Sequence, residues 1–357
     1  MQQLANYHRK RFFVPLIALT GSNGKTTTKE LLVAILKRKY NVLYTRGNLN
    51  NHIGVPLTLL NLKSEHDIAV IEMGANHQGE IKALCEIAEP DYGLITNIGL
   101  AHLQGFGGIQ GVINGKTELY RFIKDSGRLL FVNERDELLK KHSQGIPRIL
   151  YGPEKYQLKL SRKSPLLSFE WKQKHIQTQM TGVYNVDNIQ AAVGIGLYFR
   201  VDDDDIIAAL ESYSPDNSRS QILRADSNVI ILDAYNANPT SVKVAVENLK
   251  AYQSEHAYKM IALGDMLELG EESHILHQEI YNLVKAQHFD KTIFVGPEFK
   301  NVARQPDDLT FDNSSQAADF LVSDPPQNAV MLIKGSRGIR MEALLKAIAP
   351  QYKAHSL

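Results

Sequence analysis

The sequence predicts an α/β protein with two domains, and three observations support this fold class. Short runs dense in Ile, Leu and Val recur through the first half, as they do in parallel strands buried on both faces. Amphipathic segments of helical length separate these runs, which is typical of crossover helices. The same alternation starts again after a polar, proline-containing linker at 212–220. We therefore expect domains at 1–213 and 214–357.

The apolar runs place the individual elements along the chain. In the first domain we expect strands at 15–20, 67–73, 92–98 and 128–132, and helices at 27–39, 80–88 and 185–199. Alternating polar and apolar residues at 158–180 predict a small antiparallel insertion. The acidic run Asp202–Asp205 predicts a helix N-terminus, where the macrodipole favours negative charge. In the second domain we expect strands at 229–233, 260–263, 292–295 and 330–333.

Composition excludes several classes of protein. The chain has 357 residues, 43% of them hydrophobic, and a formal net charge of +1, which argues against a broad nucleic-acid surface. Its single cysteine, Cys85, allows no intramolecular disulfide and is expected to be a buried packing thiol. No apolar run approaches membrane-spanning length, and the N-terminus has no signal-peptide pattern. We expect a cytoplasmic monomer that binds neither membrane nor nucleic acid.

The segment LTGSNGKTTTKELL (19–32) predicts a phosphate-binding loop between a strand and a helix. Its backbone N–H groups can converge on phosphate oxygens, Lys25 can reach the outer phosphates, and the Thr26 hydroxyl can bind Mg²⁺. The usual pattern has glycine where this chain has Leu19, so the loop is shortened at its start. A plain strand-to-helix turn is the alternative. The predicted nucleotide-binding residues here are Gly21, Ser22, Asn23, Gly24, Lys25, Thr26 and Thr27.

The shortened loop TGSNGKTT resembles that of the Mur ligases and folylpolyglutamate synthetases, which make amide bonds with ATP. The resemblance extends through nearly all of both domains, in the segments TRGNLNNHIGVPLTLL (45–60), IEMGANHQGEI (71–81), DAYNANPTS (233–241), LGDMLELGEESHILH (263–277) and LIKGSRGIRME (332–342). It implies a central ATPase-like phosphate-loop domain followed by a Rossmann-like domain. It also implies that D-alanyl-D-alanine is added to UDP-N-acetylmuramoyl-tripeptide through an acyl phosphate, in peptidoglycan precursor synthesis.

The resemblance implies two Mg²⁺ ions, one of them held by Glu72 and His102. Glu72 ends an apolar strand and His102 follows the next one; read without the family, they are also compatible with a helix-capping carboxylate and a structural histidine. Lys116 resembles a lysine that CO₂ carbamylates to give a further metal ligand. Asn114 replaces the first lysine of that family motif. From the residues alone, Lys116 would be an exposed helix lysine.

Further nucleotide contacts are also implied by the resemblance. Asn188 would face the adenine, and Asn185 is a weaker candidate that could instead cap a helix. Arg219, just past the linker, would act in catalysis by reaching the ATP phosphates, as Lys25 does from the loop. Asp233 and Asn236 would touch the ribose or phosphates.

The remaining candidates concern the two substrates, the nucleotide-sugar peptide and the incoming dipeptide. Asn48, Asn50, Asn51 and His52 lie in a loop too polar for a core, and the resemblance implies that this loop faces the nucleotide-sugar peptide and the phosphates. The pocket of the incoming dipeptide would be lined by Asp265, Glu268, Lys334 and Ser336. His274 and His277 lie at a helical spacing that can form a metal pair, but with no third ligand evident a solvated helix face is favoured.

Relatives carry an additional N-terminal domain that grips the uridine diphosphate. Because the phosphate loop begins at residue 21, we expect that domain to be absent from this chain. Three alternatives to the proposed activity remain: a sister or folylpolyglutamate-type ligase that adds a single amino acid, a non-catalytic nucleotide-binding homologue, and a nucleoside-triphosphatase switch.

Overall fold

The structure is a computed structural model that describes residues 1–215, 219–253 and 258–352. Within these residues the chain forms two compact units. The first comprises Met1–Ser161, Ser168–Thr178 and Tyr184–Tyr213, and the second comprises Arg162–Leu167, Gln179–Val183 and the described residues of Ser214–Leu357. Both units are layered α/β structures, which confirms the predicted fold class.

The first unit is built around a six-stranded parallel sheet. Its strands are β1 (Leu16–Thr20), β2 (Val42–Tyr44), β3 (Ile68–Glu72), β4 (Tyr92–Ile95), β5 (Leu129–Asn133) and β6 (Arg148–Tyr151). Their order across the sheet is β2-β3-β1-β4-β5-β6, and every residue of β1 is buried. The connections leaving β1 and β4 run in opposite directions, so ligands are expected at the carboxyl ends of these two strands.

Helices cover this sheet, and a small second sheet follows it. The helices are α1 (Gln2–Lys10), α2 (Lys25–Leu36), α3 (Gly54–Leu59), α4 (Glu80–Ala88), α5 (Leu103–Phe106), α6 (Ile109–Lys116), α7 (Glu118–Asp125), α8 (Glu137–His142), α9 (Pro153–Tyr156), α10 (Asn185–Tyr198) and α11 (Asp203–Ser212). The small sheet contains β7 (Lys159–Arg162), β8 (Ser168–Trp171) and β9 (Lys174–Gln177). Its β8 and β9 pair antiparallel, as the alternation at 158–180 predicts.

The second unit contains a six-stranded mixed sheet in the order β10-β11-β15-β12-β13-β14. Only β10 and β11 pair antiparallel among the described strand pairs of this sheet. The strands are β10 (Gln221–Ala225), β11 (Asn228–Asp233), β12 (Tyr258–Gly264), β13 (Lys291–Val295), β14 (Leu309–Phe311) and β15 (Ala329–Lys334). The helices are α12 (Pro239–Ala251), α13 (Ser273–Ala286), α14 (Pro297–Val302), α15 (Ser314–Ser323) and α16 (Glu342–Ile348), with 3₁₀ turns at Gly270–Glu272 and Arg337–Ile339.

All eight strands predicted from apolar runs are present, with ends shifted by up to three residues. The strands that the pattern missed are short or lie at a sheet edge: β2, β6, β10 and β14. Edge strands bury less of their surface, so their sequences carry no dense apolar run. The acidic run does begin a helix, with Asp202 at the N-cap of α11.

Two further local features follow from the fold. Cys85 is buried in α4, as expected of a packing thiol. Asn238 caps α12 through a reciprocal capping box with Ser241. None of the helices in the described part of the chain has both the length and the apolar character needed to cross a bilayer.

The central strand β1 should dominate the stability of the first unit. Ile17 is fully buried between neighbouring strands on both sides, so Ile17→Ala leaves a cavity that the parallel sheet cannot easily close. We expect a loss of about 2–5 kcal/mol in the free energy of unfolding, measured by urea denaturation. Ile275→Ala, at a position 62% exposed, is the matched control and should change stability by less than about 0.5 kcal/mol. Equal losses in the two variants would contradict this view of the core.

Candidate functional site

The predicted phosphate loop lies between β1 and α2, in a backbone conformation that requires its two glycines. Gly21 has φ +147° and Gly24 has φ +79°, both in the region that side chains disfavour. A Cβ at Gly21 would lie 2.0 Å from Thr96 Oγ1, and one at Gly24 would lie 2.4 Å from Asn188 Oδ1. The loop backbone is therefore packed closely on both sides, with no room for a side chain at either glycine.

The segment after β4 holds the loop from one side. Asn97 Oδ1 accepts from the Asn23 N–H at 3.0 Å, and Asn97 Nδ2 donates to the Asn23 carbonyl at 3.0 Å. The Ser22 hydroxyl donates to the Gly99 carbonyl at 3.0 Å and accepts from the Gly99 N–H at 2.9 Å. Sequence reasoning missed Asn97. The available signal was its position directly after a buried strand, where parallel sheets place functional side chains.

Lys25 and Thr26 open α2 and face the loop and β3 respectively. The Lys25 ammonium donates to the carbonyls of Gly21 at 2.8 Å and Ser22 at 3.3 Å, so it lies over the loop. The Thr26 hydroxyl donates to Glu72 Oε1 at 3.1 Å. The structure thus brings together Thr26 and Glu72, which are 46 residues apart in the chain.

Glu72 is a buried carboxylate, 1% exposed, at the carboxyl end of β3. Its Oε1 also accepts from Asn50 Nδ2 at 2.8 Å, while among the described residues its Oε2 has no hydrogen-bond partner. The buried Lys29 ammonium lies 3.6 Å from Oε2 and balances part of the charge. Buried acidic oxygens are normally hydrogen-bonded, so an open Oε2 fits a position for a hard cation.

Sequence reasoning did not assign Asn50 or Lys29 to this cluster. Asn50 lies in a loop whose local sequence does not reveal a contact with β3. Lys29 carried a usable signal, because it follows Lys25 by four residues and so shares its helix face.

Lys116 is buried at the end of α6, 1% exposed, and its ammonium donates to the Ala75 carbonyl at 3.1 Å. The interpretation of an exposed helix lysine, drawn from the residues alone, is therefore wrong, because this face of α6 lies inside the unit. Burial lowers the pKa of Lys116 well below its ordinary value; the nearby Lys25 lowers it further, and Glu80 and Glu118 partly oppose the shift. The shift favours the neutral, nucleophilic form of the amine.

His102 occupies the N-cap of α5 with a left-handed φ of +55° and is half-buried. Such a backbone conformation is uncommon for a residue with a side chain. Across residues 1–215, 219–253 and 258–352, no three His, Cys, Asp or Glu side chains cluster as a ready metal site. Any metal here would therefore need hydroxyl, amide or ligand oxygens besides Glu72.

Asn188 lies on α10 and faces both α2 and the loop. Its Oδ1 accepts from the Thr28 hydroxyl at 3.0 Å, and its Nδ2 donates to Asn185 Oδ1 at 2.9 Å. The alternative in which Asn185 caps α10 is wrong, because Tyr184 occupies the N-cap position. Asn185 instead orients Asn188.

The polar loop before α3 is exposed at Asn48, Asn51 and His52. Asn51 Oδ1 accepts from the N–H groups of Ile53 at 3.0 Å and Gly54 at 2.9 Å, so this side chain shapes the turn into α3. The contacts that these three residues make with a substrate stay predictions.

In the second unit, four predicted residues surround the carboxyl ends of β11 and β15. The Lys334 ammonium, 2% exposed, donates to Asp233 Oδ2 at 2.7 Å and to the Asn236 carbonyl at 3.1 Å. The Arg219 guanidinium stacks on the Tyr235 ring with 3.6 Å to its centroid. This stacking fixes a planar cation at the start of the unit.

The residues predicted to line the dipeptide pocket differ in burial. Asp265 is buried and accepts from the N–H groups of Glu298 and Phe299, each at 2.9 Å, so its carboxylate anchors α14. Burial raises the pKa of Asp265. The Ser336 hydroxyl accepts from the Leu267 N–H at 2.9 Å, whereas Glu268 is exposed with φ +64°. Glu268 is therefore presented to solvent, and Asp265 supports the fold around it.

The predicted solvated face at His274 and His277 is wrong for His277. His274 is exposed, but His277 is fully buried, and its Nε2 accepts from the Met266 N–H at 3.0 Å. The reason is that the apolar stripe of α13, carrying Leu276 and Ile280, is wide enough to include position 277.

Residues 19–196 match the family described as Mur ligase middle domain, and residues 218–337 match the Mur ligase, glutamate ligase domain. The UDP-N-acetylmuramoyl-tripeptide–D-alanyl-D-alanine ligase of Bacillus subtilis (strain 168) is 32% identical over 360 residues, covering 97% of this chain and 78% of that protein.

Two solved structures are similar to the whole described fold. One is MurF from Acinetobacter baumannii, with 34% identity, a TM-score of 0.86 and coverage of 97% of this chain and 79% of that chain. The other is MurF ligase from Thermotoga maritima in complex with ADP, with 27% identity, a TM-score of 0.84 and coverage of 97% and 82%. The chain therefore belongs to the Mur ligase family and is a ligase. Within that family, these relatives are of the D-alanyl-D-alanine-adding kind.

The buried Lys116 predicts a pH dependence of stability. Its folded-state pKa is lowered, so between that pKa and the ordinary value of 10.5 the unfolded chain binds the extra proton. The wild type should lose stability as the pH falls through this window. Lys116→Met should therefore be more stable than wild type near neutral pH, with an advantage that shrinks as the pH rises towards 10.5.

The measurement is urea denaturation across this pH range in CO₂-free buffer. Lys82→Met serves as the control, because Lys82 is exposed and its replacement removes no buried amine. A stability advantage of Lys116→Met that is constant with pH would contradict the lowered pKa.

Proposed function

We propose that this protein uses ATP to join D-alanyl-D-alanine to UDP-N-acetylmuramoyl-tripeptide, forming the pentapeptide precursor of peptidoglycan, ADP and phosphate. One observation carries the proposal. The hydroxyl of Thr26, which follows the glycine loop, is hydrogen-bonded to the buried carboxylate of Glu72, and the second oxygen of that carboxylate has no hydrogen-bond partner among the described residues. The named activity of the relatives at about one-third identity supports the choice of substrates.

ATP binding is proposed at the loop of residues 21–27. The N–H groups there, at the N-terminus of the 12-residue helix α2, suit phosphate oxygens. The Lys25 ammonium, which lies over the loop, would neutralise the outer phosphates. Asn188 would contact the adenine, although its amide is also bonded to Thr28 and Asn185. The ADP complex of the similar Thermotoga maritima ligase supports nucleotide binding by this fold.

Two Mg²⁺ ions are proposed, one at Thr26 and a second at Glu72 and His102, with Lys116 as a further ligand of the second. The open Oε2 of Glu72 and the neighbouring hydroxyl are oxygen donors, which Mg²⁺ prefers. When bound, the ions would neutralise phosphate charge during transfer to the tripeptide carboxylate. The protein's own part is to hold Glu72 in place through Asn50 and to exclude water by burial.

Lys116 is proposed to be carbamylated. Its uncharged amine can attack CO₂ to give a carbamate and release one proton, and the lowered pKa of Lys116 favours the reactive form. Carbamylation would turn a buried cation site into an anionic ligand, and the neighbouring Lys25 would then stabilise rather than oppose its charge.

The second unit is proposed to bind the dipeptide and part of the nucleotide. Glu268, Lys334 and Ser336 lie at or just beyond the carboxyl ends of β12 and β15, where open sheets bind ligands. Asp265 supports that edge from within. Arg219, Asp233 and Asn236 are proposed nucleotide contacts. The stretches 1–213 and 214–357 would then be an ATP-binding and an amine-binding domain of a monomer that works in the cytoplasm, where ATP is plentiful.

The decisive experiment measures phosphate release from ATP with the UDP-tripeptide, with and without D-alanyl-D-alanine. We expect release that requires both substrates. Lys25→Ala should lower the rate by about 10²-fold or more, because it removes a charge aimed at the phosphates. Lys37→Ala, at the exposed end of α2, is the matched control and should keep the wild-type rate. Release driven by a single amino acid would assign the protein to a sister ligase, and ATP binding without release would exclude catalysis.

The metal site makes a second prediction. Glu72→Gln should raise the Mg²⁺ concentration for half-maximal rate by about 10-fold or more, because it removes an anionic ligand. Depleting CO₂ should raise that concentration in the wild type, and bicarbonate should restore it, since the carbamate depends on CO₂. Lys116→Ala should be inactive with or without bicarbonate. If the Mg²⁺ requirement of the wild type does not change with CO₂, the carbamate at Lys116 is contradicted. The proposed Mg²⁺ site at Glu72 is not affected by that outcome.

A further inference from the structure

The segment that follows β12 is anchored by three consecutive backbone N–H groups, each bonded to a different element. Asp265 N–H donates to the Val295 carbonyl on β13 at 2.9 Å. Met266 N–H donates to His277 Nε2 on α13 at 3.0 Å, and Leu267 N–H donates to the Ser336 hydroxyl beyond β15 at 2.9 Å. Of these three acceptors, two are side chains, so the position of the segment depends on those residues.

His277 can accept from Met266 only in one tautomer. Its Nδ1 lies 2.8 Å from the Ser273 carbonyl, which can only accept, so Nδ1 carries the proton. Nε2 must then hold the lone pair that receives the Met266 N–H. The ring is fully buried and meets Phe299 edge-on, with centroids 4.8 Å apart. Packing and two hydrogen bonds therefore fix both the orientation and the tautomer of His277.

The neighbouring charged groups are already engaged elsewhere. Asp265 Oδ1 lies 3.9 Å from His277 Nε2, beyond hydrogen-bond distance, and accepts instead from Phe299 N–H at 2.9 Å. Glu298 accepts from the Ser273 hydroxyl at 2.9 Å. These contacts join α13, α14 and the segment into one block, in which His277 supplies the only described side-chain acceptor for Met266.

The two residues that follow Met266 in the chain are exposed to solvent. Leu267 is 42% exposed, and Glu268 is exposed in a left-handed conformation, φ +64°. A shift of the Met266 backbone would be transmitted directly to both. Leu267 offers a dipeptide an apolar contact, and Glu268 offers a carboxylate that can accept a hydrogen bond from an amino group.

We propose that His277 is a positioning residue for the amine substrate: its Nε2 holds the backbone from which Leu267 and Glu268 contact D-alanyl-D-alanine. This inference rests on the proposed function, because it concerns how the same edge of the sheet recognises the dipeptide. His277 itself touches no substrate; it acts through the Met266 N–H.

Two polar substitutions separate this role from general packing. The amide of His277→Gln can place an oxygen where Nε2 lies, whereas the shorter His277→Asn reaches only the position of Nδ1 and leaves Met266 without its acceptor. We expect His277→Asn to raise the KM for D-alanyl-D-alanine about 10-fold and the KM for ATP less than about 2-fold. His277→Gln should recover most of the dipeptide KM. His274→Gln, an exposed change on the same helix, should leave both values unaltered.

A merely structural role would give a different result. Loss of folded protein lowers kcat through the active fraction and leaves the KM for the dipeptide unchanged, so an unchanged KM in His277→Asn would overturn the proposal. If wild type itself shows no dipeptide-dependent release, the proposed function fails instead.

A second measurement does not depend on the activity of any variant. Nitrogen-15 spectra of histidine-labelled wild type should show His277 as the Nδ1–H tautomer, with the signal identified by its loss in His277→Gln. Added D-alanyl-D-alanine should protect the Met266 amide from hydrogen exchange. An Nε2–H tautomer for His277 would overturn the proposal, because that nitrogen could then accept nothing.

Discussion

Parallel pairing of β1 with both β3 and β4 is the constraint on which the candidate site of the first unit depends. Parallel strands end at the same edge of a sheet, so the loop after β1, the carboxylate ending β3 and the polar turn after β4 must meet. Gly21 and Gly24 allow this meeting to be tight, since no side chain fits where Thr96 and Asn188 approach. The chemistry of the site follows from where the strands end.

The second physical theme is the burial of charge. An isolated buried charge is costly, and the charged groups of the site are matched by partners or have shifted pKa values. Glu72 faces Lys29 and two hydrogen-bond donors, and Lys334 is paired with Asp233. Lys116, beside another cation, responds by a lowered pKa. Such groups are retained at a cost in folding stability, which is typical of sites selected for chemistry.

The two units use the same principle with different residues. In the second unit, the carboxyl ends of β11 and β15 bring Asp233 and Lys334 together, and the segment after β12 adds Glu268. There the supporting contacts are made by neutral groups, His277 and the Ser336 hydroxyl, which accept from successive backbone N–H groups. The edge that we propose recognises a small amine is thus positioned by side chains behind it.

Much of the fold and of the candidate site could be predicted from the sequence. The features that could not be predicted share a common cause. The buried strands, the phosphate loop and the acidic start of α11 are local patterns, because dense apolar runs, glycines and capping residues express backbone preferences directly. The edge strands β2 and β14 carry too little apolar character to be recognised. The burial of Lys116 and His277 was missed because a helix lysine or histidine looks the same in sequence whether its face meets solvent or another element.

The sequence by itself determined the fold class, the order of the elements and the phosphate loop, because these follow from periodicity and from glycine and proline geometry within a few residues. Tertiary structure alone decided which distant groups meet. Three sets of contacts show this: Thr26 bonds Glu72, Asn50 and Lys29 share the same carboxylate, and Met266 depends on His277. They follow from strand pairing and packing between groups 11 to 46 residues apart. Such contacts depend on three-dimensional proximity, for which short-range sequence patterns carry no signal.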